Sequence, residues 1–148
     1  MLTLTDLQLS GVAIALGWRG QIVHDVDLLG ERVHVVANLT PACDGGQKVE
    51  LVGVLAARRG WRSAMRAASG FVAFASRAVV LPGSAPVGSH LQAVAAYTGV
   101  GIVLAHPTKV QVAASPSPPA ARSRTLAHDL VEEAVYSRLL PDAAVAVH

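Results

Sequence analysis

The chain has 148 residues, 52% of them hydrophobic and 15% charged, with a formal net charge of +2 and one cysteine. That length suits one domain built on one core, and a lone Cys43 excludes an internal disulfide or a thiolate metal cage, which fits a reducing compartment. Residues 78–108 carry no Asp, Glu, Lys or Arg, but Pro82, Gly83, Pro86, Gly88, Gly99 and Gly101 interrupt them, leaving no run of about 20 apolar residues to span a membrane.

Residues 6–17 predict a helix, with Thr5 or Asp6 able to cap its free N–H groups and Gly17 placed to end it. Residues 21–42 hold two β-rich runs around a short hairpin link at 29–32, and the turn-forming segment 43–47 leads into a third run over 48–56. The period then changes. Trp61, Ala64, Met65, Ala68, Val72 and Ala75 recur at three and four, while Arg58, Arg62 and Arg66 recur at four on another side, as in a helix with one buried and one basic face. Residues 77–83 read as a short buried strand ended by Pro82-Gly83, 90–99 as a helix stopped by Gly99, and 100–105 and 109–115 as two strands around His106-Pro107.

Residues 115–124 are a Pro/Ser-rich linker. Residues 125–140 then predict an amphipathic helix, capped by Thr125, favoured by Asp129, Glu132 and Glu133 and ended by Pro141, with a tail over 141–148. Leu126, Leu130, Val131, Ala134 and Val135 form its apolar side, a candidate surface for a partner or for a homo-oligomer. The expected fold is α/β: a single domain over 1–114 with a mixed central sheet in the order α-βββ-α-β-α-β-β, then the linker and the C-terminal helix.

Charge is divided along the chain. Residues 1–50 hold six acids and three bases, 51–128 eight bases and no acid, and 129–148 four acids and one base. An acid-free basic block attracts a polyanion or an acidic partner, and it leaves no carboxylate there for metal chemistry. Its densest part is Arg58, Arg59, Arg62 and Arg66, with Arg77 further on. Guanidinium forks suit phosphate and carboxylate. The other two outcomes open to such a stripe are a solvated helix face and an internal pairing of Arg62 or Arg66 with Asp129, Glu132 and Glu133.

Residues 50–82 resemble the central segment of the PD-(D/E)xK nuclease superfamily, the restriction-endonuclease-like fold, especially its small bacterial branches. In those proteins a Glu-x-Lys strand runs into a Trp-Arg-x-Ala helix, and Phe-Ala-x-Arg leads into a Val-Leu-Pro strand. Trp61, Arg62, Ala64, Phe74, Ala75, Arg77, Val79, Val80, Leu81 and Pro82 match. The resemblance implies a strand-borne Asp and a Glu-x-Lys pair holding a divalent cation that polarises the phosphate. By spacing from Trp61, the Glu and Lys positions fall on Leu55 and Ala57, the Asp position on Asn38, and the helix Gln and Tyr of related families on Ala67 and Phe71. The resemblance therefore implies the fold and argues against cleavage. A migrated site would draw on Asp25 and Asp27, which strict strand alternation places on one face, and on Glu50; the alternative for the aspartates is the wet face of an edge strand.

The remaining signals are weaker. His24 and His34 can face each other across a hairpin as a metal pair or as ordinary sheet histidines, while Ser89-His90 lacks a nucleophile-elbow pattern and Gly99-Val100-Gly101 lacks a dinucleotide fingerprint. The expected function is binding without catalysis, to nucleic acid through the arginine face. The alternatives are a protein-interaction module using the C-terminal helix and a metal-dependent nuclease with a displaced site. No cofactor or metal is expected and the residues identify no small-molecule substrate, and the first residues lack the basic lead of a secretory signal, so a cytoplasmic setting is the default.

Overall fold

A computed structural model of the chain describes residues 2–41, 43, 45–119 and 124–147, with side chains described as far as residue 139. Thr5 opens the first helix, α1 (Asp6–Leu16): its hydroxyl accepts from the Gln8 N–H, the Gln8 side chain accepts from the Thr5 N–H, and Gly17 closes the helix in a left-handed conformation. The strands β1 (Gln21–Leu28), β2 (Glu31–Pro41), β3 (Gln47–Ala57), β4 (Ser76–Pro82), β5 (Gly101–Ala105) and β6 (Val110–Ala114) lie side by side in chain order in one six-stranded sheet. Between them run α2 (Trp61–Ser69) and α3 (Ser89–Thr98), and α4 (Leu126–Val147) comes last.

The sheet is mixed. β1, β2 and β3 pair antiparallel, β3, β4 and β5 pair parallel, and β6 returns antiparallel. The parallel part is where helices intervene, because a parallel neighbour is reached only by a crossover. The α/β class and the element order are those the hydrophobic periods predict.

Two cores hold the layers together. On one face, Leu9 and Val12 of α1 pack on Leu55, Ala57, Ala78, Val80 and Val103. On the other, Met65 of α2, Leu91 of α3, Val131 and Val135 of α4, and Phe71 from the turn after α2 meet Val35, Val54, Val79, Leu81 and Ile102. Trp18, between α1 and β1, lies against Gly53 of β3 where a Cβ would otherwise stand.

Three local features depart from the expected pattern. The helical period was expected to reach Ala75, but α2 ends at Ser69 and a series of turns carries the chain to β4; Gly70, with its high backbone entropy, sits at the break. The last helix was expected to stop at Pro141, but α4 continues to Val147; an internal proline removes one hydrogen bond and introduces a clash rather than forbidding the helix outright. In β1 a bulge lies between Val23 and Val26, and Asp25 there has φ 47°. The bulge inserts an extra residue, so the alternation that would place Asp25 and Asp27 on one face does not run through it.

Helix α4 is tied at two points, to the turn after α2 and to the bulge in β1. At its start, Nδ1 of His128 accepts from the Thr125 N–H at 3.1 Å, which leaves the Nε2 proton to donate to the Ala73 carbonyl at 3.0 Å. Further along, Arg138 donates to the carbonyls of Asp25 at 3.1 Å and His24 at 2.7 Å, occupying main-chain acceptors that the bulge leaves on the outer edge of β1.

Candidate nucleic-acid interface and the filled metal position

Two of the three positions assigned to metal ligands by the nuclease resemblance are packed shut, and the third is half-buried. Leu55 and Ala57 are 0% and 1% exposed beneath α1, and Asn38 donates its amide to the Arg19 carbonyl at 3.0 Å. Ala67 and Phe71 are likewise buried. A hard divalent cation takes six or more oxygen ligands. Here Leu9 and Val12 occupy the space above β3, so this end of the sheet is a hydrophobic contact.

The displaced candidates are not assembled either. Asp27 is held by Arg32 in a two-pronged ion pair, with Nε to Oδ1 at 3.0 Å and Nη2 to Oδ2 at 3.2 Å, and this partner lowers the Asp27 pKa from its ordinary value. Glu50 is paired in register with Asn38 on β2, on the far side of that strand from β1. Asp25 sits in the bulge. Among the described residues no group of three His, Cys, Asp or Glu side chains is placed to hold a metal ion. Cys43 is exposed in the turn before β3 and free.

The five arginines separate into two groups. Arg58 is folded inward: its guanidinium donates to the carbonyls of Ala57 at 2.9 Å and Arg32 at 2.7 Å and lies 3.8 Å from Glu31. Arg77 is 4% exposed and donates to the Thr98 carbonyl at 2.5 Å. Burial lowers its pKa from the ordinary value, and its acceptor, the Thr98 carbonyl, lies at the negative end of α3. Both therefore tie strands to neighbouring segments. Arg59, Arg62 and Arg66 are exposed, and none makes an ion pair among the described residues.

The expected pairing of Arg62 or Arg66 with the acidic C-terminal helix is not formed. Arg124 takes those carboxylates, with Nη2 at 2.8 Å from Asp129 and Nη1 at 2.8 Å from Glu132, and they raise its pKa above the ordinary value. Arg124 stands two residues before α4, so pairing with the first turns of that helix costs little chain entropy.

What surrounds the three free arginines was not apparent from their spacing. Helices α2 and α3 begin at the carboxyl ends of the adjacent parallel strands β3 and β4. Their N-caps are Gly60 and Gly88, neither start has a side-chain cap, and neither first turn contains an acid. Two sets of free N–H groups with the positive ends of two helix dipoles thus lie at the same end of the central strands. Arg62 lies 4.7 Å from the Trp61 ring, and His90, in the first turn of α3, packs edge-on against the same ring at 5.4 Å. The signal was present as two glycine caps without acids, but only the β3–β4 pairing makes them neighbours.

The apolar side proposed for the C-terminal helix is divided as well. Val131 and Val135 are 2% and 0% exposed within the chain's own core and Ala134 packs against it, whereas Leu126 and Leu130 are 73% and 56% exposed. His24 and His34 do come together, with ring centroids 5.9 Å apart and edges meeting faces. No helix among the described residues is long and apolar enough to cross a membrane. No protein-family model, curated protein or solved structure matches the chain.

Proposed function

We propose that the protein binds nucleic acid, without cutting it, through the surface formed by Arg59, Arg62 and Arg66 and the adjoining starts of α2 and α3. The observation that carries this reading is that two uncapped helix N-termini adjoin Arg59 and Arg62, with Arg66 one turn further along α2, in a part of the chain with no carboxylate. Phosphate is the natural occupant of such an arrangement. Kinship with the PD-(D/E)xK nucleases belongs to the same proposal; it is supported by the element order and by the matching residues of α2, the turn after it and β4 from Trp61 to Pro82. The buried Leu55 and Ala57 support binding in preference to cleavage.

Binding to duplex DNA and to RNA, followed as a function of salt, tests this. Each neutralised phosphate contributes roughly 0.9 to the slope of log affinity against log salt on duplex DNA. Replacing Arg59, Arg62 and Arg66 together by Ala should flatten that slope by about 2.7 and weaken binding regardless of base sequence. Unchanged affinity in the triple variant, or equal affinity for polyglutamate, would overturn the reading.

A second reading has its own observation. Leu126 and Leu130 are one turn apart on the outer side of α4 and exposed, as a contact with a second chain would require. Replacing both by Glu should convert any homo-oligomer seen by light scattering to monomer while leaving the fold intact.

A further inference from the structure

The β1 bulge, the neighbouring part of β2 and the start of α1 enclose a cavity of about 300 Å³ lined by Leu2, Thr3, Leu4, Asp6, His24, Asp25 and His34, a volume at the lower end for small-ligand sites. It is polar on an otherwise apolar face, and its chemistry is set by how the two histidines are held.

His34 is 8% exposed. Its Nδ1 accepts from the Asp25 main-chain N–H at 3.2 Å, so in the neutral ring the proton sits on Nε2. That Nε2–H has no acceptor among the described residues, and it is not among the fully enclosed unpaired atoms. His34 lines the cavity, so this N–H is the donor it can offer a ligand there. His24 places Nε2 3.3 Å from Asp6. The carboxylates of Asp6 and Asp25 complete the lining. Of the guanidiniums around it, Arg58 and Arg138 are turned onto main-chain carbonyls and Arg32 onto Asp27, and none lines it.

This donor set selects against a metal. A neutral histidine that accepts at Nδ1 carries its proton on Nε2 and cannot ligate there. It suits an organic cation instead. We propose that the cavity is a binding site for a small aliphatic ammonium that carries a hydrogen-bond acceptor one or two bonds away, as in an amino alcohol. The ammonium sits between Asp6 and Asp25, and the acceptor takes the proton of His34 Nε2. Carboxylates open to water hold an ammonium weakly on their own; the buried histidine donor adds selectivity, because an amine without an acceptor leaves that N–H unpaired.

Long-range ¹⁵N NMR of the histidine side chains reads the site directly. In the free protein His34 should show the Nε2–H tautomer. Ethanolamine should shift the His34 and His24 signals saturably, and acetate should not. Nα-acetyl-lysine amide is the parallel arm: saturation by ethanolamine alone assigns the site to free amino alcohols, and saturation by both extends it to lysine side chains. Asp25→Asn keeps a residue type that tolerates positive φ, so melting should be unchanged while ethanolamine affinity falls about tenfold to a hundredfold. The absence of saturable shifts with both amines at about 50 mM, equal shifts with acetate, or undiminished binding in Asp25→Asn would overturn the proposal. The free-protein tautomer and the melting curve report folding separately from binding.

Discussion

The main-chain N–H of Asp25 donates to Nδ1 of His34 across the β1 bulge, at 3.2 Å. This bond needs a neutral ring. Burial lowers the His34 pKa from its ordinary 6.5, with His24 and Arg58 acting in the same direction and Asp25 opposing them. A histidine whose folded pKa lies below its unfolded one binds protons more readily when unfolded, so its contribution to stability is present above the unfolded pKa and is lost as pH falls towards the folded pKa. Urea denaturation midpoints should therefore drop between pH 7.5 and pH 5.5. In His34→Gln, where an amide oxygen can take over as acceptor, that dependence should flatten. An equal slope in the variant would place the pH sensitivity elsewhere.

The turn between β1 and β2 places Leu29 and Gly30 at φ 52° and 81°. Positive φ at both central residues is the mark of a type I′ hairpin, for which Asn-Gly is the favoured pair and a leucine is strained. Leu29 is also half exposed, so little packing is lost on replacing it. Leu29→Asn should stabilise the protein by about 0.5–1.5 kcal/mol, read as a rise in melting temperature.

These two features mark the boundary of what the amino-acid order made legible. The hairpin was visible from Gly30, and the helix stops from Gly17 and Gly99, because glycine is a local signal for left-handed backbone. The alternating and helical periods likewise gave the order of the elements. The bulge had no such marker, since Asp25 takes positive φ without being glycine and is held there by His34 nine residues on. Arg58 and Arg77 fall within the basic block with Arg59, Arg62 and Arg66, yet carbonyls on Arg32 and Thr98 turn them inward. Charge spacing along a helix cannot report acceptors supplied by other strands.

Gly53 is required by its neighbour across the sheet face. The Trp18 ring occupies the place of a Cβ on this residue, and a packed indole cannot move without losing its own burial. Gly53→Ala should cost about 1–3 kcal/mol and shift Trp18 fluorescence to longer wavelength as the ring is displaced towards water. A variant with wild-type stability and an unshifted spectrum would show that the ring has room to give.

Arg58 and Arg66 should part company on mutation although both belong to the same stretch of the chain. Arg58→Ala leaves the Ala57 and Arg32 carbonyls without their donor, at a cost of about 1–3 kcal/mol. Arg66→Ala removes an exposed side chain with no ion pair among the described residues and should change stability by less than about 0.5 kcal/mol. In nucleic-acid binding by the folded fraction the order should reverse, with Arg66→Ala lowering the salt slope and Arg58→Ala leaving it unchanged. Thermal melts and salt titrations of the two single variants, compared side by side, decide it.

Helix α4 contributes core packing, and its removal should be felt as unfolding. Val131, Val135 and Leu139 are 2%, 0% and 8% exposed, and burying three such side chains is worth on the order of 5–9 kcal/mol, comparable with the whole stability of a domain. Truncation after Arg124 should therefore give a chain without a cooperative transition. A milder perturbation isolates the anchor. His128 accepts from Thr125, donates to Ala73 and packs on Phe74 with ring centroids 4.5 Å apart, so His128→Ala should cost about 2–4 kcal/mol. The loss should be local at first: amide exchange at the start of α4 and in the turn containing Ala73 should accelerate before that of β3 to β5. If the truncated chain instead unfolds cooperatively at the wild-type midpoint, α4 is an appendage, and the exposed Leu126 and Leu130 become the reason for its presence.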